Sequence, residues 1–387
     1  MLTTQALYIK FAAAYIGGVR TLRLRKMFIY CICSVLSGAT VLILARSTDW
    51  FGEWYASHIF PIFPDTIGRV MSIFPFSVLE MLIYLLIISF IVCIIYFLAL
   101  IIVPKRRNNV KKAALRASCV VLTLTCTLFM MLSLTCAVNY SRDTFADLTG
   151  RQITLSSKDD LLALCKLLMR EVEALSEQIQ TDGQGLFTIR NIDVNKEAKE
   201  AMRRLGQETS ALSGYYPNAK PVLASRWLSK MNVTGIYSPF TIEANYNQDV
   251  PDYLIPFTIC HELAHLKGFM REDEANFIAY LACRGAESIE FRYSGALIAL
   301  SYALNAYHSE AGLEEYSELR RILPDQATID LAANYEYWAQ FRGRISEIAT
   351  RANDTYLRAN AQEDGVKSYG RMVDLLIAEY RIGAEII

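Results

Sequence analysis

The chain has 387 residues, more than one hydrophobic core usually absorbs, so two structural units are expected. Its 39 basic and 39 acidic residues cancel, which removes the electrostatic footprint of a nucleic-acid-binding protein. Hydrophobic residues reach 53% and crowd into the first 140 positions, too many there for an ordinary soluble domain.

Three uncharged apolar runs follow one another: Met27–Ala45, Met81–Val103 and Ala117–Tyr140. About 20 residues suffice to cross the hydrocarbon core as a helix. Buried helices of a soluble protein keep a polar face, and these runs have none. Residues 1–140 are therefore expected to form a membrane domain with three transmembrane helices, and residues 141–387 a second domain. Five bases and no acid precede the first run, and the loop Pro104–Arg116 carries six bases and no acid. The connection Arg46–Glu80 instead holds four acids against two bases. Basic loops stay inside, so the N-terminus is expected in the cytoplasm and everything after Tyr140 outside it. No small-residue cleavage site follows the first run, which argues against a signal peptide. Residues Trp50–Pro75 read as an interfacial loop, with Trp50, Trp54 and Tyr55 at headgroup level. Six of the nine cysteines lie in apolar segments, and the chain has no C-x-x-C pair, which argues against a cysteine zinc knot. One disulfide among Cys165, Cys260 and Cys283 stays open at this point.

Beyond the third run the pattern turns helical. Ser157 and Asp160 make a capping box that starts a helix running to about Gln180. A β-like run at Leu186–Ile192, a helix at Asn195–Leu205 and another at Val222–Met231 come next. Asn232–Tyr246 is rich in β-branched and aromatic residues, turns at Ser238-Pro239, and reads as a hairpin or bent edge strand. An extended peptide can pair with such an edge by strand addition. Helices are predicted at Pro256–Lys267, with Pro near its start and Gly268 past its end, and at Arg271–Arg284 and Glu287–His308. A long helical stretch from Pro324 to Asn360 and a last helix over Ser368–Tyr380 complete a fold that is mainly α with a small β element.

The helix at Pro256–Lys267 carries His261-Glu262-Leu263-Ala264-His265, an H-E-x-x-H motif. Residues four apart share a helical face, so both imidazoles can bind one Zn²⁺, with Glu262 beside them as general base for an attacking water. The other two histidines, His58 and His308, lie far away in the chain. A catalytic zinc takes three protein ligands. One large class of such sites has a third histidine ten places after the first, but Arg271 stands there and cannot ligate. Glu272 and Glu274 on the following helix remain as candidates. The oxyanion of a tetrahedral intermediate needs a further donor, for which Tyr369, Arg371 and His308 are suitable types.

The HELAH motif followed by Glu272-Asp273-Glu274-Ala275-Asn276, the three spans, the preceding Gly235–Asn245 stretch GIYSPFTIEAN, and Asp364–Arg371 near the C-terminus together carry a resemblance. The chain is similar to an uncharacterised family of bacterial three-span membrane proteins of the DUF3810 type, which falls among the gluzincin metallopeptidases. That resemblance implies an α+β zincin-like domain on the outer side of the cytoplasmic membrane, a bound Zn²⁺, and a peptide or protein substrate. It implies Glu272 as third ligand, since the gluzincin ligand helix reads E-x-x-x-D, and it places Asn276 where aspartate is usual. It also favours Tyr369 as the oxyanion donor. A non-catalytic zinc-binding sensor or interaction module that keeps the same fold is the alternative. Cleavage within the bilayer is disfavoured, because His261 lies about 120 residues beyond the last span.

Overall fold

The computed structural model describes residues 2–103, 109–154, 156–360, 362 and 371–385, with side chains from Leu24 to Arg381. The first apolar run lies in α1 (Leu2–Ser47), and α2 (Phe51–His58) follows it. The second and third runs form α3 (Val78–Ile102) and α4 (Val110–Thr135). The helical segments Leu24–Ser47, Val78–Ile102 and Val110–Ser141 are each long and apolar enough to span a bilayer. In the most apolar window of α3 only 6% of residues are buried by protein. A helix that is apolar all round and almost uncovered needs lipid as its solvent, so this is a membrane protein.

The chain divides into two compact units, one of residues up to Thr48 with Ile83–Leu134, the other of Asp49–Leu82 with everything from Thr135 on. Within the first unit, the Tyr30 and Thr127 hydroxyls lie 2.7 Å apart. A Cβ on Gly38 would stand 3.0 Å from Phe129 and Ser133. Small residues and paired hydroxyls are what hold helices together where lipid removes the hydrophobic drive between them.

The stretch expected as an interfacial loop, Trp50–Pro75, is instead largely helical and belongs to the second unit. Its α2 is followed by helical turns at Pro64–Gly68 and Arg69–Met71. Phe51 and Tyr55, four apart, bury one face, so Tyr55 is a core residue rather than a headgroup anchor, while Trp50 and Trp54 are exposed.

The rest of the second unit is helical around a small sheet. After α5 (Phe145–Thr149) come α6 (Lys158–Ser176), started by the Ser157/Asp160 capping box, and α7 (Val194–Glu208). The sheet has the order β1-β3-β2: β1 (Lys220–Val222) runs parallel to β3 (Glu243–Asn247), which pairs antiparallel with β2 (Gly235–Ser238). The expected hairpin is therefore β2–β3, with β2 at the sheet's edge. β1 and the short α8 (Ser225–Lys230) replace the helix expected over Val222–Met231. The β-like Leu186–Ile192 forms no strand; one isolated bridge joins Thr181 to Phe187. α9 (Leu254–His265), α10 (Glu272–Arg284) and α11 (Ile289–Arg320) pack with α6 around Leu168, Phe277, Tyr280 and Tyr293, all fully buried. The stretch after Pro324 is two helices rather than one, α12 (Asp325–Ala339) and α13 (Arg344–Ala359), before α14 (Met372–Glu385).

A set of buried charges holds the sheet to the first turn of α3. Glu243 on β3 is 2% exposed; its carboxylate accepts the Val78 and Leu79 backbone N–H groups at 3.1 and 2.9 Å and pairs with Lys220. Lys220 also donates to the Met71 carbonyl at 2.7 Å. In return Glu80, in the first turn of α3, accepts the N–H groups of Leu223 and Ala224, both at 2.8 Å. The first-turn N–H groups of a helix have no partner within the helix, and carboxylates satisfy them with favourable charge.

Candidate metal centre

The local shape of the site follows from how α9 ends. Gly268 takes a φ of +82°, its N–H donates to the His265 carbonyl at 2.9 Å, and the Phe269 N–H donates to the Ala264 carbonyl at 3.3 Å. This is the Schellman pattern, which glycine adopts without steric penalty. The turn returns the Phe269 carbonyl to the helix just left, where it accepts the His265 Nδ1–H at 2.7 Å. That hydrogen bond fixes the tautomer and leaves Nε2 of His265 as a free donor atom for a metal. The loop is braced from outside. The buried Arg142 guanidinium lies 3.9 Å over the Phe269 ring, donates to the Lys267 carbonyl at 2.9 Å, and pairs with Glu53 on α2 at 3.1 Å.

α10 starts after Arg271 and brings Glu272 to the histidines. Its Oε2 lies 3.2 Å from His261 Nε2 and 3.8 Å from His265 Nε2. One donor atom from each of the three residues falls within 4.8 Å of the others. Two imidazole nitrogens and one carboxylate oxygen are donor types that suit a metal ion such as zinc. The Asn276 amide lies beside His261 and donates from Nδ2 to the Tyr302 hydroxyl at 3.2 Å, while the buried His261 Nδ1 has no hydrogen-bond partner among the described residues. Burial lowers the proton affinity of His261, but the Glu272 carboxylate outweighs it and the net shift is upward. His265 goes the other way, pushed down to about 4 by burial and by its neighbour His261, so it is neutral and able to ligate.

Glu274, the other candidate on α10, does not join this cluster. It is buried, accepts the Phe145 N–H at 3.1 Å, and pairs with Arg271 at 3.0 Å. His308 is exposed and rests its ring against Tyr316, far from the role considered for it. Arg371 pairs with Asp273 at 3.4 Å, next to Glu272. Tyr369 lies outside the described residues, as do residues 104–108 of the basic loop.

Glu262 sits behind the triad, 3% exposed. Burial raises its carboxyl to about 8, and the Tyr237 N–H donates to it. Its Oε2 has no partner, an orphaned acceptor at the centre of the site. β2 presses close to it. A Cβ on Gly235 would stand 2.4 Å from Glu262 Oε1 and 2.7 Å from the Thr258 methyl. Only glycine lets the edge strand approach the carboxylate this closely.

Several further side chains surround the cluster that no local pattern marked. The Tyr237 ring tilts against His265 at 6.1 Å, and its hydroxyl donates to the Thr135 carbonyl at 2.9 Å. Cys136, Tyr140 and Tyr356 all lie near enough to Glu272 to feel its charge, and Cys136 Sγ is 3.0 Å from the Tyr356 hydroxyl. Thr135 is the last residue of α4. Thr135, Cys136 and Tyr140, about 120 residues before His261 in the chain, thus border the cluster from within the second unit. The nine cysteines are all free, so the disulfide left open among Cys165, Cys260 and Cys283 is not formed.

A family model described as a protein of unknown function, DUF3810, matches residues 55–377, most of the chain. No curated protein and no solved structure matches it.

Proposed function

The chain belongs to the DUF3810 family of proteins of unknown function, and from that premise we propose that it is a membrane-anchored, gluzincin-type zinc metallopeptidase. The observation that carries this reading is the meeting of His261, His265 and Glu272 beside a buried Glu262 with an unpartnered oxygen. An H-E-x-x-H helix, a glutamate from the next helix, and an edge strand passing the glutamate of the motif support a zincin-like domain. When bound, zinc would supply Lewis acidity and a lowered pKa for an attacking water.

The chain's own residues do the rest. His261, His265 and Glu272 would hold the ion, and the Phe269 carbonyl orients the His265 imidazole. Glu262, buried beside the triad with an unpartnered Oε2, is placed to take a proton from water and return it to the leaving amine. β2 aligns the peptide by strand pairing, with Gly235 admitting the strand to the carboxylate. Purified full-length protein is expected to hold one zinc and to cleave unstructured peptides. Glu262→Gln should keep the zinc while cleavage falls roughly 100-fold or more. Identical peptide profiles from both proteins would sink the peptidase.

A second reading is favoured by Asn276, which lacks the charge that raises the basicity of a ligating histidine. On it the domain keeps its zinc and binds a partner without turnover, and the same assay separates the two. The basic flanks of the apolar helices support a cytoplasmic N-terminus and an outward-facing second unit in the bacterial cytoplasmic membrane. A reporter active only outside the cytoplasm, fused after Tyr140, should be active; a silent fusion would reverse the orientation.

A further inference from the structure

His265 ends α9, Glu272 begins α10, and the loop Leu266–Arg271 joins them. A helix sets His261 and His265 on one face, but the path of this loop decides where Glu272 falls relative to both. The backbone groups at the two helix ends have no partner within a helix. One short segment serves both ends: the 3-10 turn Ala137–Ser141 with Arg142 after it. At the α9 end the Arg142 guanidinium donates to the Lys267 carbonyl at 2.9 Å and lies over the ring of Phe269, whose carbonyl holds His265. At the α10 end the roles reverse. The Arg271 guanidinium donates to the Tyr140 and Arg142 carbonyls at 3.2 and 3.1 Å. Between the two ends, a Cβ on Gly268 would stand 3.3 Å from Arg142 Nη1, so loop and arginine touch. The segment is fastened in turn to α2. Arg142 is 3% exposed, and its Nε and Nη2 donate to the two carboxylate oxygens of Glu53 at 3.2 and 3.1 Å. Such a fork fixes the plane of the guanidinium as well as balancing its charge. One residue earlier, a Cβ on Gly52 would overlap the Ser141 carbonyl oxygen, so α2 lies directly on the segment's backbone. Although α2 comes before the second apolar helix in the chain, it belongs with the segment and the loop to the second unit.

We propose that Glu53 and Arg142 are positioning residues for the metal centre, holding Leu266–Arg271 on the path that brings His265 and Glu272 to one ion. Neither is itself a ligand. The proposal rests on the reading of His261, His265 and Glu272 as metal ligands, and is independent of whether the centre cleaves peptides. Its physical basis is the narrow tolerance of a metal for its donors, whose distances must fall within about 0.2 Å of their usual values. Partners that orient ligands from outside are accordingly worth roughly 10- to 100-fold in affinity. Here that support reaches both ligand helices through one guanidinium and two carbonyls, and α2 anchors it.

The test uses the full-length chain in detergent, stripped of metal and reloaded with Zn²⁺ or Co²⁺, beside Glu53→Ala, Arg142→Met and Tyr293→Phe. The last is the control for stability alone, since the Tyr293 hydroxyl donates to Asp330 at 2.6 Å in the same unit and takes no part in the contacts above. Glu53→Ala and Arg142→Met should each weaken Zn²⁺ binding about 10-fold or more in competition with a chelator. Both should also alter the visible absorption of bound Co²⁺, which reports ligand geometry, whereas Tyr293→Phe should change neither. Glu53→Gln keeps an acceptor for the guanidinium and should recover part of the affinity lost in Glu53→Ala. If Arg142→Met does not fold, Glu53→Ala decides, because that side chain is 20% exposed and its loss buries no new cavity. Parental affinity and spectrum in Glu53→Ala overturn the proposal, and so does an equal loss in Tyr293→Phe. A parent chain that binds neither ion removes the metal-centre reading itself, and the positioning role falls with it.

Discussion

Replacing Glu272 with alanine is expected to weaken zinc binding by more than about 100-fold, since the loss of outer hydrogen-bond partners alone costs 10- to 100-fold. Its Oε2 stands 3.2 and 3.8 Å from the two histidine nitrogens. Glu274→Gln is the matched control. That carboxylate serves Phe145 and Arg271 rather than the histidines, so zinc binding should persist while stability falls by about 1–3 kcal/mol, the usual result of weakening a buried, hydrogen-bonded charge. Competition with a chelator of known affinity, on full-length protein in detergent, measures the first effect, and thermal unfolding the second. Zinc retained in Glu272→Ala and lost in Glu274→Gln would reverse the assignment.

Glu243→Ala should be the most destabilising single change outside the metal centre. It strands Lys220, only 3% exposed, without its counter-ion, and strips the acceptor from the Val78 and Leu79 N–H groups at the start of a membrane helix. Breaking a buried pair by removing one partner costs about 3–5 kcal/mol. For a domain of this size that corresponds to a fall in the melting midpoint of roughly 10 °C or more. Lys220→Met combined with Glu243→Leu should recover part of the loss, because two apolar groups avoid the unpaired charge, though not the missing cap. A midpoint within 2 °C of the parent for Glu243→Ala would mean that the clamp contributes nothing measurable. The clamp matters beyond stability. β3, which it fastens to α3, pairs with β2, and β2 touches Glu262, so the first turn of a membrane helix is joined to the metal centre through two strands.

Local patterns reached the elements whose signal is local. The three apolar helices were legible because membrane spans are long and have no polar face to confuse the period. The β2–β3 hairpin was legible from its β-branched and aromatic residues around Ser238-Pro239. β1 was not, since three residues, one of them proline, carry too little propensity to outweigh the helical pattern that follows. Trp50–Pro75 was misread because its aromatics and prolines suggest an interface, whereas Phe51 and Tyr55 spend their rings on the core.

The same division runs through the metal centre. The sequence by itself pointed to His261, Glu262 and His265 as one candidate cluster, because a helix turns four-residue spacing into one face, and it offered Glu272 and Glu274 as candidates to join them. The family resemblance favoured Glu272, and the tertiary structure adds what each one meets, although both lie in the first turn of α10: the histidines, or Arg271 and Phe145. Only the tertiary structure, too, brought Gly235 against Glu262 and set Cys136, Tyr140 and Tyr356 around Glu272. The Cys136–Tyr356 contact joins residues 220 positions apart within the second unit, and no spacing along a chain encodes such a meeting.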